Sequence, residues 1–456
     1  MSETVRTPEE HLARFAVGLR MRDLPADVAG RARLVLVDTL GAIVGGMGRL
    51  GTVATALAAG APGPAAVLGT RLRAEPAHAA MLNGTAGTVL ELDEGHRFAG
   101  GHPAIHVVPA ALAAAESVDA AGEHLLVAVI AGYEVAARAG RSLGALRPPL
   151  HPHGTWGVLG AATAAALLLD GRFHVVVEAL RIAAHYMLHT RYDSAIDGAG
   201  VRDTYAGVAN LLGLTAARLA AAWMTGTAGV ARALHPLAAT EPDADALTAD
   251  LGRTFEIGRG YFKMHAACRH LHGALDCLDA LAHREPILPE DVVRVEVETY
   301  ALAATFAHPR PRTRLAAKFS LPFAVATRLV HGSSGVEAFE PEALTARALA
   351  LAERVHVRER SEFTAVAPAR RPTRVVVVLR DGRRLEAQVA LPRGEDHLAY
   401  TVEQVEEKFL RLAAPVLGAQ AHVALARWRH PDGQGVRALV RHLMPPDEVE
   451  TDRGRC

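Results

Sequence analysis

"PAALAAAESVDAAGEHLLVAVIAGYEVAARAG", from Pro109 to Gly140, decides the fold class. Small apolar residues recur at helical spacing on both sides of a short polar break. The stretch therefore reads as two alanine-rich helices joined near Asp119–Gly122. Alanine and glycine on the apolar faces let backbones approach closely, which suits a compact assembly of many helices. The same texture continues outward. "LPADVAGRARLVLVDTLGAIVGG" (Leu24–Gly46) places Pro25 and Asp27 in first-turn positions and ends in glycines. "GTWGVLGAATAAALLLDG" and "YAGVANLLGLTAARLAAAWMTG" follow suit, so the pattern is helical almost throughout from about Pro8 to Gly260.

The period changes after Pro286. "DVVRVEVETY" and "RVHVRER" alternate as strands do, and "PTRVVVVLRDGRRLEAQVAL" reads as a hairpin with Asp381-Gly382 as its two-residue turn. "SLPFAVATRLVHG" and "PEALTARALALAERV" are helices between those strands, and "TVEQVEEKFLRLAAPVL" is helical again. The expected architecture is mainly α. It has a large all-helical domain over 1–268, a smaller α/β domain over 269–398, and a C-terminal helical segment over 399–456 that returns to the first domain. Internal repeats, low-complexity tracts, a P-loop and a G-x-G-x-x-G fingerprint are all absent from the sequence.

Composition narrows the function. Lys plus Arg equals Asp plus Glu, 49 of each, so no global field recruits nucleic acid or an anionic membrane. Any anionic ligand must be met by local cations. Cys268, Cys277 and Cys456 are too few and too poorly spaced for a disulfide framework or zinc ribbon, which fits a reduced, cytoplasmic compartment. The N-terminal "MSETVRTPEEHLARF" has no signal-peptide pattern. Apolar runs such as "WGVLGAATAAALLL" fall short of the roughly twenty residues a membrane span needs, so a soluble protein is expected. Only three of the 49 basic residues are lysine: Lys263, Lys318 and Lys408. A lysine in so arginine-rich a chain is a candidate for work that needs a compact, titratable ammonium.

Titratable groups gather in "ELDEGHRFAGGHPAIH", Glu91 to His106. Glu91 and Glu94 share a face if the helix beginning near Pro76 extends that far. His102 follows a Gly-Gly pair and precedes a proline, so its imidazole sits on a bent loop. Two chemistries are open: a metal held by His96, His102, His106 and the acids, or acid–base work on a substrate. H-x5-H-x3-H matches no defined coordination geometry, so the metal signal is weak. "HPHGTWG" adds His151 and His153 just ahead of a helix, where Thr155 and helix N-terminal amides are placed to meet an anion. "RGYFKMHAACRHLHGALDCL" combines Lys263 with Arg269, and on a helix starting near Ala266 the residues Arg269, His272 and Asp276 share a face. That segment lies at the domain boundary, where clefts form. Arg202, ahead of a small-residue helix, is suited to clamp a carboxylate.

Together these segments resemble the MmgE/PrpD family of 2-methylcitrate dehydratases, cis-aconitate decarboxylases and iminodisuccinate epimerases. The resemblance runs over nearly the whole chain through "LVDTLGAIVGG", "AAMLNGTAGTVLELDEGH", "GGHPAIHVVPAALAAAE", "AGYEVAARAG", "HPHGTWGVLGAATAAALLL", "FKMHAACRHLHGALD" and "AAKFSLPFAVA". It implies a homodimer that uses no cofactor and no metal, with its active site between the two domains. The family's acidic run falls on Glu91, Asp93, Glu94 and His96, its His-Pro histidine on His102, and its Phe-Lys lysine on Lys263. Three positions depart from the family pattern: Arg202 stands where a lysine is usual, His153 where a threonine is common, and Phe323 where a tyrosine is.

The resemblance implies lyase chemistry next to a carboxylate of a small di- or tricarboxylic acid. Epimerisation and a repurposed specialised-metabolism role are the alternatives. A metal-dependent hydrolase and a non-catalytic binder are the more distant readings. In this reading His102 is the general acid/base, His151 and His153 assist it, and Glu91, Asp93 and Glu94 set tautomer and pKa. Lys263 and Arg202 hold carboxylates, with Thr155, His96 and Arg269 as further substrate contacts.

Overall fold

The computed structural model describes residues 7–446, so the start of the N-terminal stretch and Cys456 lie outside the described residues. Two hydrophobic cores organise the chain. The larger is built from helices before Met264 and is completed by residues from Tyr400 to Leu443. The smaller runs from Ala266 to Ala387 and also takes in Leu90, Leu92, Ala195 and Leu412. Among the described residues no single helix is long and apolar enough to cross a membrane.

The decisive stretch forms two helices, Pro103–Val118 and Gly122–Ser142, with Asp119 in the left-handed region (φ 50°) between them. The first helix begins six residues before Pro109 and carries that proline inside it. A proline there withholds the N–H that Ile105 would accept. Asn210, on the helix Tyr205–Ala221, fills the gap: its amide donates to Ile105 O at 2.9 Å and accepts from Ala110 N at 2.9 Å. Small residues then let the helices touch. A Cβ on Gly160 would sit 2.5 Å from the Gly132 carbonyl, so Gly122–Ser142 and Gly157–Leu169 cross backbone to backbone.

In the smaller core a four-stranded mixed sheet has the order Val355–Glu359, Val292–Thr299, Thr373–Leu379, Arg384–Val389, with only the first pair parallel. The helices His272–Arg284 and Leu321–His331 belong to this core. The hairpin turn differs from the expected two-residue form. Leu379 N donates to Arg383 O and Gly382 N to Leu379 O, so three residues, Arg380 to Gly382, make the loop. Only Gly382 is left-handed (φ 86°), which suits a turn followed by a glycine bulge and not one needing positive φ at both central residues.

Helix Val402–Leu417 lies along Ala26–Met47 in the larger core, joined by a buried ion pair between Lys408 Nζ and Asp38 Oδ1 at 2.6 Å. The chain thus leaves the helical core, builds the α/β unit, and comes back.

Candidate active site

The acidic segment starts where a helix stops. Pro76–Val89 ends at Val89, and Glu91 turns the chain with φ 55°, a conformation costly for a residue with a Cβ. Glu91 and Glu94 therefore do not share a helix face, contrary to the expectation of a longer helix. Glu91 and Asp93 point towards the buried cations Lys263 and Arg202. Lys263 Nζ lies 3.4 Å from both Glu91 Oε2 and Asp93 Oδ1, and Arg202 pairs with Glu91 through its guanidinium. Glu94 turns the other way. Its carboxyl accepts from the Tyr133 hydroxyl and, at 3.1 Å, from Ala104 N in the first turn of the next helix. Burial, only partly offset by Tyr133, the Ala104 amide and Arg31, pushes its pKa up to about 8. Glu94 is a protonated structural group at neutral pH.

His102 is the N-cap of Pro103–Val118, held there by Pro103 at the first helical position. Its Nδ1 lies 2.7 Å from the Glu94 carbonyl oxygen and 3.1 Å from Asp93 Oδ2. A carbonyl can only accept, so the proton sits on Nδ1 and the Nε2 lone pair is left for the cleft that His102 lines. Burial lowers the His102 pKa, with Asp93 opposing that shift. Asp93 is held below the usual carboxylate range: His102, Lys263 and Arg202 outweigh the burial that would raise it.

The second histidine group packs behind the first. His106 Nδ1 donates to His102 O at 2.7 Å and its Nε2 accepts from Gly154 N at 3.0 Å, so the ring is a neutral brace with a pKa lowered by burial to about 4. A Cβ on Gly157 would meet that ring at 2.2 Å, which is why the following helix must open on glycine. His151 Nδ1 accepts from His153 N at 3.0 Å, fixing its neutral proton on Nε2. The His153 ring stands edge-on to His102 at 4.7 Å, with Nε2 3.6 Å from Asp93 Oδ2. Burial drives both His151 and His153 well below the ordinary imidazole value.

Other residues singled out in the sequence are placed differently. Thr155 is fully buried and donates to His151 O at 2.6 Å, so it shapes the turn and does not line the cleft. His96 pairs with Glu256 at 3.0 Å away from the cleft lining. Arg269 lines the cleft while holding the 392–395 segment through Arg393 O, Pro392 O and Glu395. It lies in a short 3-10 turn ahead of the helix, whose first residue is His272 and not Ala266. Phe323 packs on Phe339 inside the α/β core, so the hydroxyl absent there is not missing from the cleft.

His270, from the same histidine-rich segment as Arg269, also lines the cleft. Three further lining groups were not singled out by any motif, Tyr192, Tyr261 and Arg371, and they arrive from three separate segments. The two tyrosines bring phenols, and Arg371 a second guanidinium beside Arg269. The cavity at the centre of the cleft is about 30 Å³.

Asp93, His102 and His153 stand close enough to surround a cation. His102 Nδ1 already donates to Glu94 O, so a cation here could be met only by the ring's other nitrogen.

A mainly helical body, a small α/β unit, and a cleft of neutral histidines, ion-paired carboxylates and buried cations define a class of catalytic scaffold for small anions. Family models agree with it: the MmgE/PrpD N-terminal domain matches residues 10–234 and the MmgE/PrpD C-terminal domain residues 265–429. The chain belongs to the MmgE/PrpD family. It is 27% identical to the cis-aconitate decarboxylase-like protein oryM of Aspergillus oryzae, covering 92% of this chain and 94% of the other. It is 24% identical to a cis-aconitate decarboxylase of Aspergillus terreus, covering 89% of each.

Proposed function

We propose that this protein is a lyase that makes or breaks a bond beside a carboxylate of a small di- or tricarboxylic acid. The reading needs no cofactor or metal and takes the protein as a cytoplasmic homodimer. The observation that carries it is His102: its Nδ1 donates to Glu94 O and lies 3.1 Å from Asp93 Oδ2, which leaves Nε2 with the lone pair, and the residue lines a cleft with Arg202, Arg269 and Arg371. Such cations hold substrate carboxylates, and Lys263 lies between Glu91 and Asp93, where it helps hold Asp93 below the usual carboxylate range.

Burial lowers the His102 pKa and favours the neutral ring, so it begins as a base. In a dehydration it takes the proton from the carbon next to the carboxylate, the electron pair of that C–H bond forms the double bond, and the C–O bond breaks as the hydroxyl takes a proton from the imidazolium and leaves as water. In a decarboxylation the carbon–carboxylate bond breaks, CO₂ departs, and the electron pair left on carbon takes a proton from the imidazolium. Entry of an anionic substrate favours that charged form by raising the imidazole pKa. Closure over the cleft removes water and strengthens each of these interactions.

The test is proton NMR of EDTA-dialysed protein in D₂O with citrate, 2-methylcitrate, cis-aconitate, itaconate and N-substituted aspartates. New vinyl or methylene signals are expected. Exchange of an α-proton without net elimination would assign an epimerase instead. His102→Gln, which keeps the ring's size but cannot titrate, is expected to lower turnover on the order of 10²–10⁴-fold with the fold retained. Near-wild-type turnover in that variant would refute the assignment.

A further inference from the structure

The chain contains only three lysines among its 49 basic residues, and all three are buried. They come from distant parts of the sequence, yet each ammonium reaches the same five-residue segment, Val89 to Asp93. Lys318, at the end of the helix Arg314–Lys318 in the α/β unit, donates to Val89 O at 2.9 Å. Lys408, on the returning C-terminal helix, donates to Leu92 O at 2.6 Å while paired with Asp38. Lys263 lies between the Glu91 and Asp93 carboxylates.

A helix end leaves carbonyls without partners, and Lys318 supplies both a donor and a positive charge there. Two residues on, Glu91 takes its left-handed conformation, which persists only where the surroundings over-determine it. The next carbonyl but one after Val89 belongs to Glu91, and the one beyond it, at Leu92, is pinned by Lys408. A compact ammonium is suited to donating into a single carbonyl in this way. Burying Lys318 with a carbonyl as its hydrogen-bond partner is costly, and burial lowers its pKa to about 7.

We propose that Lys318 and Lys408 are positioning residues: a pair of ammonium pins, one from the α/β unit and one from the C-terminal helix, that hold the left-handed acidic segment so that Asp93 meets His102. The site is then assembled only when both elements are docked. The proposal rests on reading His102 as the acid–base group, so its test is independent of turnover.

His102 faces Asp93, His153, Tyr261, Glu91 and Lys263, and Asp93 is the nearest charge to it. In protein labelled at histidine Cε1, with His102 assigned from His102→Gln, Lys318→Met is expected to move the His102 titration down by about one pH unit as Asp93 relaxes away. Lys318→Met leaves no buried charge behind. Asp38→Asn with Lys408→Met removes both members of the other pair and is expected to act in the same direction. Leu278→Ala, a core cavity in the α/β unit, is expected to lower Tm without moving His102. An unchanged His102 titration in either folded lysine variant, or an equal shift in Leu278→Ala, overturns the proposal. If the shift is found but the substrate panel is silent, the positioning stands and the proposed reaction falls.

Discussion

Replacing Asn210 by leucine removes the amide that repairs the helix around Pro109 and keeps the side-chain volume similar. Two buried backbone groups lose their partners, the Ile105 carbonyl and the Ala110 N–H. Each unpaired buried group costs about 1–3 kcal/mol, so after partial relaxation the variant should be about 3 kcal/mol less stable. At about 2 °C per kcal/mol for a large cooperative unit, calorimetry should show Tm falling by about 6 °C. The partner experiment is the same change in a Pro109→Ala background. Alanine there restores an N–H for Ile105 O, so Asn210 has only Ala110 N left to serve and its replacement should cost about half as much. A double-mutant cycle reads that difference directly. Equal costs in the two backgrounds would show that Asn210 acts through packing alone and refute the repair argument.

Stability should depend steeply on acid. His106, His151, His153, His270 and His272 all have folded pKa values lowered first by burial, so the unfolded chain binds protons near pH 6.5 that the folded chain refuses. Their contribution is complete above pH 6.5 and is lost as pH falls towards the folded values, about 4 for His106. Glu94 and Glu134, pushed up by burial to about 8 and about 7, work in the opposite direction but are fewer. Denaturant titrations should therefore show at least about 1 kcal/mol lost per pH unit between 6.5 and 5; a flat profile would contradict neutral burial of these rings. Because Glu94 is protonated at neutral pH, Glu94→Gln should keep activity within about threefold, whereas Asp93→Asn should lose it on the order of 10²-fold or more. Equal effects would mean both carboxyls work ionised. Activity should also survive EDTA dialysis; a loss restored by a divalent ion would return the Asp93, His102 and His153 trio to metal ligation.

Much of this was legible in the sequence because it depends on local periodicity. The alanine-rich helices, the break at Asp119 and the alternating strands near Val292 and Thr373 each announce themselves within a dozen residues. Asn210 does not, since its reason for existing lies 100 residues away at Pro109 and Ala110. The acidic run was visible as a cluster, but its division was not: a positive φ at Glu91 sends Glu91 and Asp93 to the cations and Glu94 to Tyr133. No spacing rule encodes that turn, because distant lysines hold it. Arg371 and Tyr192 were unreadable for the same reason, since tertiary packing alone brings them to the cleft. The hairpin was recognisable from Asp381-Gly382, but its loop length depended on which residue took the positive φ.

The pairing of Lys408 with Asp38 across 370 residues also sets a timetable for synthesis. At about 5–20 residues per second, roughly 20 to 70 s separate the emergence of helix Ala26–Met47 from the ribosome and that of the helix that covers it. Throughout that interval a nascent chain exposes an apolar flank with a carboxylate in its middle, awaiting its counterion. The helical body is thus among the first parts translated and among the last completed, and holdase chaperones would find their longest-lived target at this seam.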